Sequence, residues 1–471
     1  MPGNPRSPPA PRNRINPAVK DDAALSSGDY AIGRSACADD VVAMRGQRRF
    51  RRAEFRSDIA ALAARLPDRR YILNLCTDRY RFMVGFAAAL QRGQVSLMPP
   101  NDAPGVLNAL AEDYPDLYAL TDTTRPALEC LVYPDALEGN TAPGLREIED
   151  AQAAIILFTS GSTGKPKPVP KSWGPLTRSA RAAGDRLGIS RLAGATVIGT
   201  VPHQHSYGLE STILLGLQNG LAIDAGWPLY PADIRAAIER APRPRILVTT
   251  PVHLRAMVAE AGGMKPVDLI LSATAPLPAP LAAEAERCLQ APLIEIYGCT
   301  EAGQVATRRT TMENEWRCLD GVALSRDESG SWASGPAVEG TAMLHDVIEP
   351  TGPATFLLGE RSADLVDVAG KRASLAHLNH QLLAVPGVQD GVFAMGESDG
   401  RRVARLMAVA VAPALSADDI LRALRERIDP AFLPRPLVLV DELPRNVLGK
   451  LPREALLRLG ASGARAGRGR Q

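Results

Sequence analysis

A chain of 471 residues is too long for one simple core, so two or three domains are expected. Its 45% hydrophobic and 23% charged residues are the composition of a soluble globular protein, and a net charge of +2 gives no global field that points to nucleic acid or to a membrane surface. The best candidate span, 208–226, is interrupted by Glu210, Gln218, Asn219 and Asp224, so no membrane-crossing helix is expected.

Residues 1–20 are rich in Pro and Arg, carry no acidic residue before Asp21 and have no apolar signal core. Residues 1–30 and 460–471 are therefore expected to be disordered extensions. The six cysteines (37, 76, 130, 288, 299 and 318) are scattered without a paired metal spacing, which is simplest for a reduced, cytoplasmic protein. The spacing of Phe55, Ile59, Leu62 and Leu66 predicts a helix over 55–66, followed by a strand at 71–75, a helix at 80–91 and a strand at 95–98. The alternation continues with strand 153–158, helix 173–187, strand 195–201, helix 208–219, strand 220–223 and helix 231–240. Strand 245–249, helix 251–262, strand 267–271, helix 278–289 and strand 293–296 complete it. This is α/β architecture with mainly parallel sheets flanked by helices. From about residue 332 the strands shorten, and 363–410 with a helix at 416–427 reads as a small α+β unit. The expected division is a large domain over 31–360 and a small one over 361–459.

Four segments carry chemistry. The strand at 153–158 runs into Thr159, Ser160, Gly161, Ser162, Thr163, Gly164, Lys165, Pro166 and Lys167. Glycines bring backbone N–H groups close to an anion, hydroxyls add donors and lysines add charge, so the loop is suited to phosphate. The spacing is not that of the P-loop, and the plainer alternative is a flexible surface loop. Only seven of the 54 basic residues are lysines (20, 165, 167, 171, 265, 371 and 450), so a lysine here suggests a need for a compact point charge. A second segment, Tyr297, Gly298, Cys299, Thr300 and Glu301, ends a strand where open α/β sheets place ligands. Its carboxylate suits Mg²⁺ and its hydroxyl a phosphate, although read alone it is also an ordinary strand end. A third, Val201 to Gly208, holds His203 and His205 without a carboxylate or thiol to complete a zinc set, so a pocket-lining His205 fits better than a metal. The fourth, Leu443 to Arg453, carries Lys450 after Gly449 and reads alone as a basic turn.

Taken in this order, the segments resemble the adenylate-forming superfamily of acyl- and aryl-CoA synthetases, amino-acid adenylation domains and luciferases. The resemblance covers 50–458 and is specific at 159–167, at 297–301 and at 444–453. It implies a large N-terminal and a small mobile C-terminal domain. It also implies that ATP is held by Thr159 to Lys165, Lys167, Thr274, Ala275, Tyr297, Gly298, Asp346 and Arg361, and Mg²⁺ by Glu301. Thr300, Glu301 and Lys450 take the catalytic positions, with Lys450 at the carboxylate and α-phosphate. Ser272, His205 and Gly208 take positions in the substrate pocket. The family's Thr-Gly-Asp stands here as Leu344-His345-Asp346, and its acidic hinge position as Ala363 followed by Asp364.

The implied reaction joins a carboxylic acid to AMP with release of pyrophosphate and passes the acyl group to a thiol, of CoA or of a carrier protein's phosphopantetheine. Amino-acid adenylation domains of this superfamily place an Asp near the position of His205 to pair with the substrate amine, whereas 201–209 hold no acid here and the His205-x-x-Gly208 form resembles acyl- and aryl-acid enzymes. The resemblance therefore implies an aromatic or short-to-medium acyl acid rather than an α-amino acid. Two alternatives stay open here: a second step that forms no thioester, and a non-catalytic relative that binds a nucleotide or a carrier protein. The expected partners are a small carboxylic acid and an acyl carrier protein, with no nucleic acid.

Overall fold

A computed structural model describes residues 14–15, 32, 37–99, 101–123, 129–137, 144–159, 167–260, 263–327, 330–361, 365–368, 371–396, 406–445, 451–452 and 455–459. The chain divides into two compact units. One comprises Met1–Leu344 with Pro350–Leu357, the other His345–Glu349 with Leu358–Gln471.

Parallel-rich sheets organise the first unit. One runs in the order Cys130–Val132, Leu117–Thr121, Tyr71–Asn74, Val95–Met98, Ala153–Thr159, Lys167–Ser172, and every pair is parallel except the last. The apolar run Ala153–Phe158 earns its inner place by burying Ala154, Ile155 and Leu157. Lys167–Ser172 tolerates Pro168 and Pro170 because it is the edge strand, where alternate N–H groups face outward.

The larger sheet places Arg48–Arg51, Val41–Arg45, Ala222–Asp224, Thr196–Gly199, Arg245–Thr249, Leu269–Ser272 and Leu293–Cys299 side by side. The five pairings from Val41–Arg45 to Leu293–Cys299 are parallel. Gly303–Arg308, Trp316–Cys318 and Thr355–Arg361 then continue it antiparallel. Helices Pro231–Arg240, Pro251–Ala259 and Ala279–Leu289 bury Ile234, Leu254 and Ala282 against Ile198, Leu247 and Ile270. Each begins with proline in its first turn, where the missing N–H costs nothing.

Helix Arg79–Gln91 is capped by Asp78, whose side chain accepts from the Arg81 N–H, and is apolar almost all round because it lies between the two sheets. On one side a Cβ at Gly85 would meet Leu120 at 2.6 Å and Asn74 at 2.7 Å. On the other, the Phe82 ring lies 4.4 Å from that of His203. A small antiparallel sheet, Ala323–Asp327, Gly330–Ser334 and Thr341–Leu344, completes the unit, and Arg14–Ile15 pairs with its first strand.

Among the elements that differ from expectation are two helical ones. The helix read over 208–219 is an α-turn at Ser206–Gly208, a π-helical stretch at Leu209–Leu214 and a further α-turn at Leu215–Gln218. Helix Pro104–Asp113 was not anticipated, because only Leu107 and Leu110 are buried and the apolar stripe is short.

The second unit contains the hairpin Leu365–Val368 with Lys371–Ser374, helix Leu375–Leu383, and strands Asp390–Met395, Leu406–Val411 and Leu437–Leu439. Helix Ala417–Arg425 starts with a reciprocal cap between Ser416 and Asp419. Leu378, Leu382, Phe393, Ala408, Ile420 and Leu424 give this unit its own core. No helix among the described residues is long and apolar enough to cross a membrane.

Candidate active site

The parallel strands of the larger sheet bring two of the four sequence segments, 201–208 and 297–301, to one edge, together with Ser272 to Ala275. Strand Thr196–Gly199 leads into His203, His205 and Gly208, Leu269–Ser272 leads into Thr274 and Ala275, and Leu293–Cys299 leads into Thr300 and Glu301. All three follow the carboxyl ends of strands in the same sheet, where such sheets bind ligands. In the other sheet, Thr159 pairs with Lys167, so the chain leaves and re-enters that sheet at these two residues. Lys167 is exposed. Ser160, Gly161, Ser162, Thr163, Gly164, Lys165, Lys450 and the hinge candidates 362–364 lie outside the described residues. Asp346 opens strand Asp346–Pro350 and Arg361 ends strand Thr355–Arg361.

Thr300, Glu301 and Ala302 form the turn between Leu293–Cys299 and Gly303–Arg308, with Cys299 opposite Gly303. The turn is held from several sides. The Lys171 ammonium donates to the Glu301 carbonyl oxygen, the Ala302 N–H donates to Cys299 Sγ at 3.4 Å, and the Gln304 N–H donates to Glu210 Oε2 at 3.1 Å. Gly303 adopts φ +77°, which favours glycine. The half-buried Glu301 carboxylate makes no hydrogen bond or ion pair among the described residues. An unpaired carboxylate at a strand end is a hard oxygen ligand and fits Mg²⁺. The Tyr297 ring packs 5.6 Å from Trp316 and 5.9 Å from Phe356.

Thr274 is the strained residue of the edge. Its φ of +81° is an outlier for a β-branched side chain, and such strain gathers at ligand sites. Two residues earlier, Ser272 is fully buried with an Oγ that has no hydrogen-bond partner.

The two histidines separate. His203 is fully buried, donates from Nε2 to the Cys76 carbonyl at 2.9 Å and leaves Nδ1 without a partner. Burial, reinforced by the nearby Arg79 charge, pushes its pKa down to about 3. His205 is half-buried and precedes the turn Ser206–Gly208. Gly208 is required there by packing, because a Cβ would sit 2.0 Å from the Pro202 carbonyl oxygen. The sign of the His203 effect follows from proton counts. Between the ordinary value of 6.5 and about 3 the unfolded chain binds a proton that the folded chain does not. Stability therefore falls as pH drops through that window, by about 1.4 kcal/mol per unit from this group. His203→Gln is expected to flatten the pH dependence of the urea midpoint between pH 4 and 6, and an unchanged slope would refute the buried neutral imidazole.

Four supporting residues escaped the sequence reading. Arg79 is fully buried and donates to the carbonyls of Gly199 and Val201, each at 2.9 Å, and to that of Gly226, which fixes the strand end before His203. Lys171 and Glu210 hold the Thr300–Glu301 turn. Glu339 accepts from Ser172 N at 2.8 Å and Ser172 Oγ at 2.7 Å. Of these only Lys171 left a signal, the scarcity of lysine.

A cavity of about 170 Å³ lies at the opposite ends of strands Leu269–Ser272 and Leu293–Cys299, near Arg186, Arg308 and Arg309. Arg308 and Arg309 are already committed to Glu295 at 2.8 Å and Glu286 at 2.9 Å, and no reactive set converges there.

The AMP-binding enzyme family matches residues 60–328. The chain is 33% identical over 247 residues to the 4-coumarate–CoA ligase of Rhodobacter capsulatus, a match over 51% of this chain and 60% of that protein, less than two thirds of its length. It is 26% identical over 388 residues to the indoleacetate–CoA ligase of Aromatoleum aromaticum, across 72% of this chain and 75% of that one. The fold matches ATP-bound MatB from Rhodopseudomonas palustris with a TM-score of 0.78 at 18% identity, over 93% of this chain and 100% of that one. A family match over more than half of the sequence means that the chain belongs to the AMP-binding enzyme family.

Proposed function

We propose that the protein activates an aromatic or short-to-medium carboxylic acid as its acyl-adenylate, releasing pyrophosphate, and transfers the acyl group to the thiol of CoA or of a carrier protein. The observation that carries the reading is the shared edge: His205 and Gly208, Ser272 to Ala275, and Thr300 with Glu301 all follow carboxyl ends of strands in one sheet. The names of the relatives, ligases of 4-coumarate and of indoleacetate, favour an aryl acid over an amino acid. A half-buried His205 beside a fully buried, apolar-packed His203 suits an uncharged acyl body better than an ammonium group.

The chemistry follows from charge. A carboxylate attacks a phosphate that is itself anionic, so catalysis is alignment plus neutralisation. Thr300 would donate its hydroxyl to a phosphate oxygen, and Glu301 would hold Mg²⁺. The ion supplies charge neutralisation at the phosphates when bound. Thr159 to Lys167 would cradle the pyrophosphate end, and Lys450 would screen the reacting oxygens. Asp346 and Arg361 would hold the ribose end of the nucleotide.

The test is exchange of labelled pyrophosphate into ATP across a panel of hydroxycinnamic, arylacetic, benzoic, dicarboxylic and short fatty acids. Exchange with at least one aryl or short acyl acid is expected, and thioester should then appear when CoA or a phosphopantetheinylated carrier protein is added. A folded protein that exchanges with none of them would overturn the proposal.

A further inference from the structure

Lys171 is the residue whose chemistry the proposed reaction does not use and whose placement needs an explanation. It lies in the edge strand Lys167–Ser172, yet its side chain turns inward and is only 4% exposed. Burying an ammonium is costly, and a well-packed apolar pair would often be at least as stable. Burial accordingly lowers the pKa of Lys171, opposed first by the charge of Glu210. Burial raises the pKa of Glu210, opposed by Ser206 and then by Lys171.

What the two charges touch is specific. Lys171 Nζ donates to the backbone oxygen of Glu301. Glu210 lies in the π-helical stretch Leu209–Leu214 and is 4% exposed. Its Oε1 accepts from Ser206 Oγ at 2.6 Å and its Oε2 from the Gln304 N–H at 3.1 Å. One charge thus grips the turn at Glu301, and the other grips Gln304, two residues past the turn. Gly303, between them, approaches Glu210 so closely that a Cβ would lie 3.1 Å from Oε2. Lys171, Glu210, Gly303 and Glu339 also line a common cavity of about 10 Å³. π-Turns inside helices recur at functional sites, and here the turn carries the carboxylate that meets Gln304.

We propose that Lys171 and Glu210 are positioning residues that fix the Thr300–Glu301 turn in the geometry that binds Mg·ATP. The inference rests on the function proposed above. It assigns the buried pair to the nucleotide step, as partners of a ligand-bearing turn rather than as ligands. Groups that orient metal ligands typically contribute about 10–100-fold in affinity or activity.

The experiment compares wild type, Lys171→Met, Glu210→Gln and the double variant by thermal unfolding, calorimetric titration with Mg·ATP, and pyrophosphate exchange. Each single variant leaves one buried charge without its partner and should lose stability. The double variant buries no charge at either position and should regain most of the wild-type Tm. Its affinity for Mg·ATP and its KM for Mg·ATP should nevertheless remain about 10–100-fold weaker, with the KM for the acid unchanged. Recovery of both Tm and Mg·ATP affinity in the double variant would overturn the positioning role, as would single variants that bind Mg·ATP like wild type. A double variant no more stable than Lys171→Met would assign the pair to folding and overturn it too. Wild-type protein that binds no Mg·ATP would instead overturn the proposed function itself.

Discussion

Lys450→Ala is expected to slow pyrophosphate exchange about 10²–10³-fold, while transfer from chemically prepared acyl-adenylate to a thiol continues at close to the wild-type rate. The reason is the timing of charge. Adenylation brings a carboxylate against a negatively charged α-phosphate, and two unit charges about 4 Å apart repel by about 4 kcal/mol at an effective dielectric near 20. That is a factor of roughly 10³ in rate, the size of effect that one mobile ammonium can relieve. Thiolysis of an acyl-adenylate starts from a neutral carbonyl and expels AMP, so it has no such pair of like charges to bring together. The position rests on the sequence motif Pro444 to Arg453, and on a chain that otherwise uses arginine for charge: 54 basic residues include only seven lysines. Lys450→Arg should recover little, because a planar guanidinium is a poor substitute for a compact charge. The measurement is single-turnover rates of the two half-reactions. Equal losses in both would refute the division, and so would full exchange activity in Lys450→Ala.

How far the sequence carried the reading depended on whether a residue's meaning is local. The alternation of 3.6- and 2-residue periods gave the α/β class, because each strand and helix declares itself within a dozen residues. The glycine- and hydroxyl-rich run after strand Ala153–Thr159 was legible for the same reason, since backbone freedom and donors are properties of the residues themselves. The π-helical stretch was not. An extra residue in a helical turn leaves the apolar spacing of Leu209, Ile213 and Leu214 nearly that of an ordinary helix, so Glu210 read as an interruption of an apolar run. Its meaning comes from Ser206 and Gln304, the latter in a strand almost a hundred positions later. The pair His203 and His205 shows the same limit. Both sit in one polar segment of sequence, and only the packing of Phe82 and the Cys76 carbonyl separates a buried neutral imidazole from a half-buried one. Thr274 gave no warning of its positive φ, because nothing in its composition prefers that conformation.

Gly298 was legible as part of a motif, but the reason for the glycine is tertiary, and it supports a second large effect. The register of Leu293–Cys299 against Gly303–Arg308 shifts between Tyr297 and Gly298, which brings two backbones together. A Cβ on Gly298 would lie 2.2 Å from the Gly303 carbonyl oxygen, 3.0 Å from its carbon and 3.1 Å from the Gln304 Cα. None of these atoms is the end of a flexible side chain, so the strand after the turn must move. Gly298→Ala is therefore expected to cost about 3 kcal/mol, the upper end of what overpacking usually costs. It should also displace Gly303 and Gln304, whose contacts with Glu210 hold the Thr300–Glu301 turn. Weaker Mg·ATP binding should accompany the lower Tm. Gly105→Ala provides the contrast. It lies in helix Pro104–Asp113 with nothing within 4 Å of the added Cβ, and should stabilise by about 0.4–1 kcal/mol through the unfolded chain. Urea unfolding of both variants, with Mg·ATP titration of each, separates a general intolerance of alanine from a clash at one turn. A Gly298→Ala protein as stable as Gly105→Ala, with wild-type nucleotide affinity, would show that the close approach of Gly298 and Gly303 constrains neither the fold nor the site.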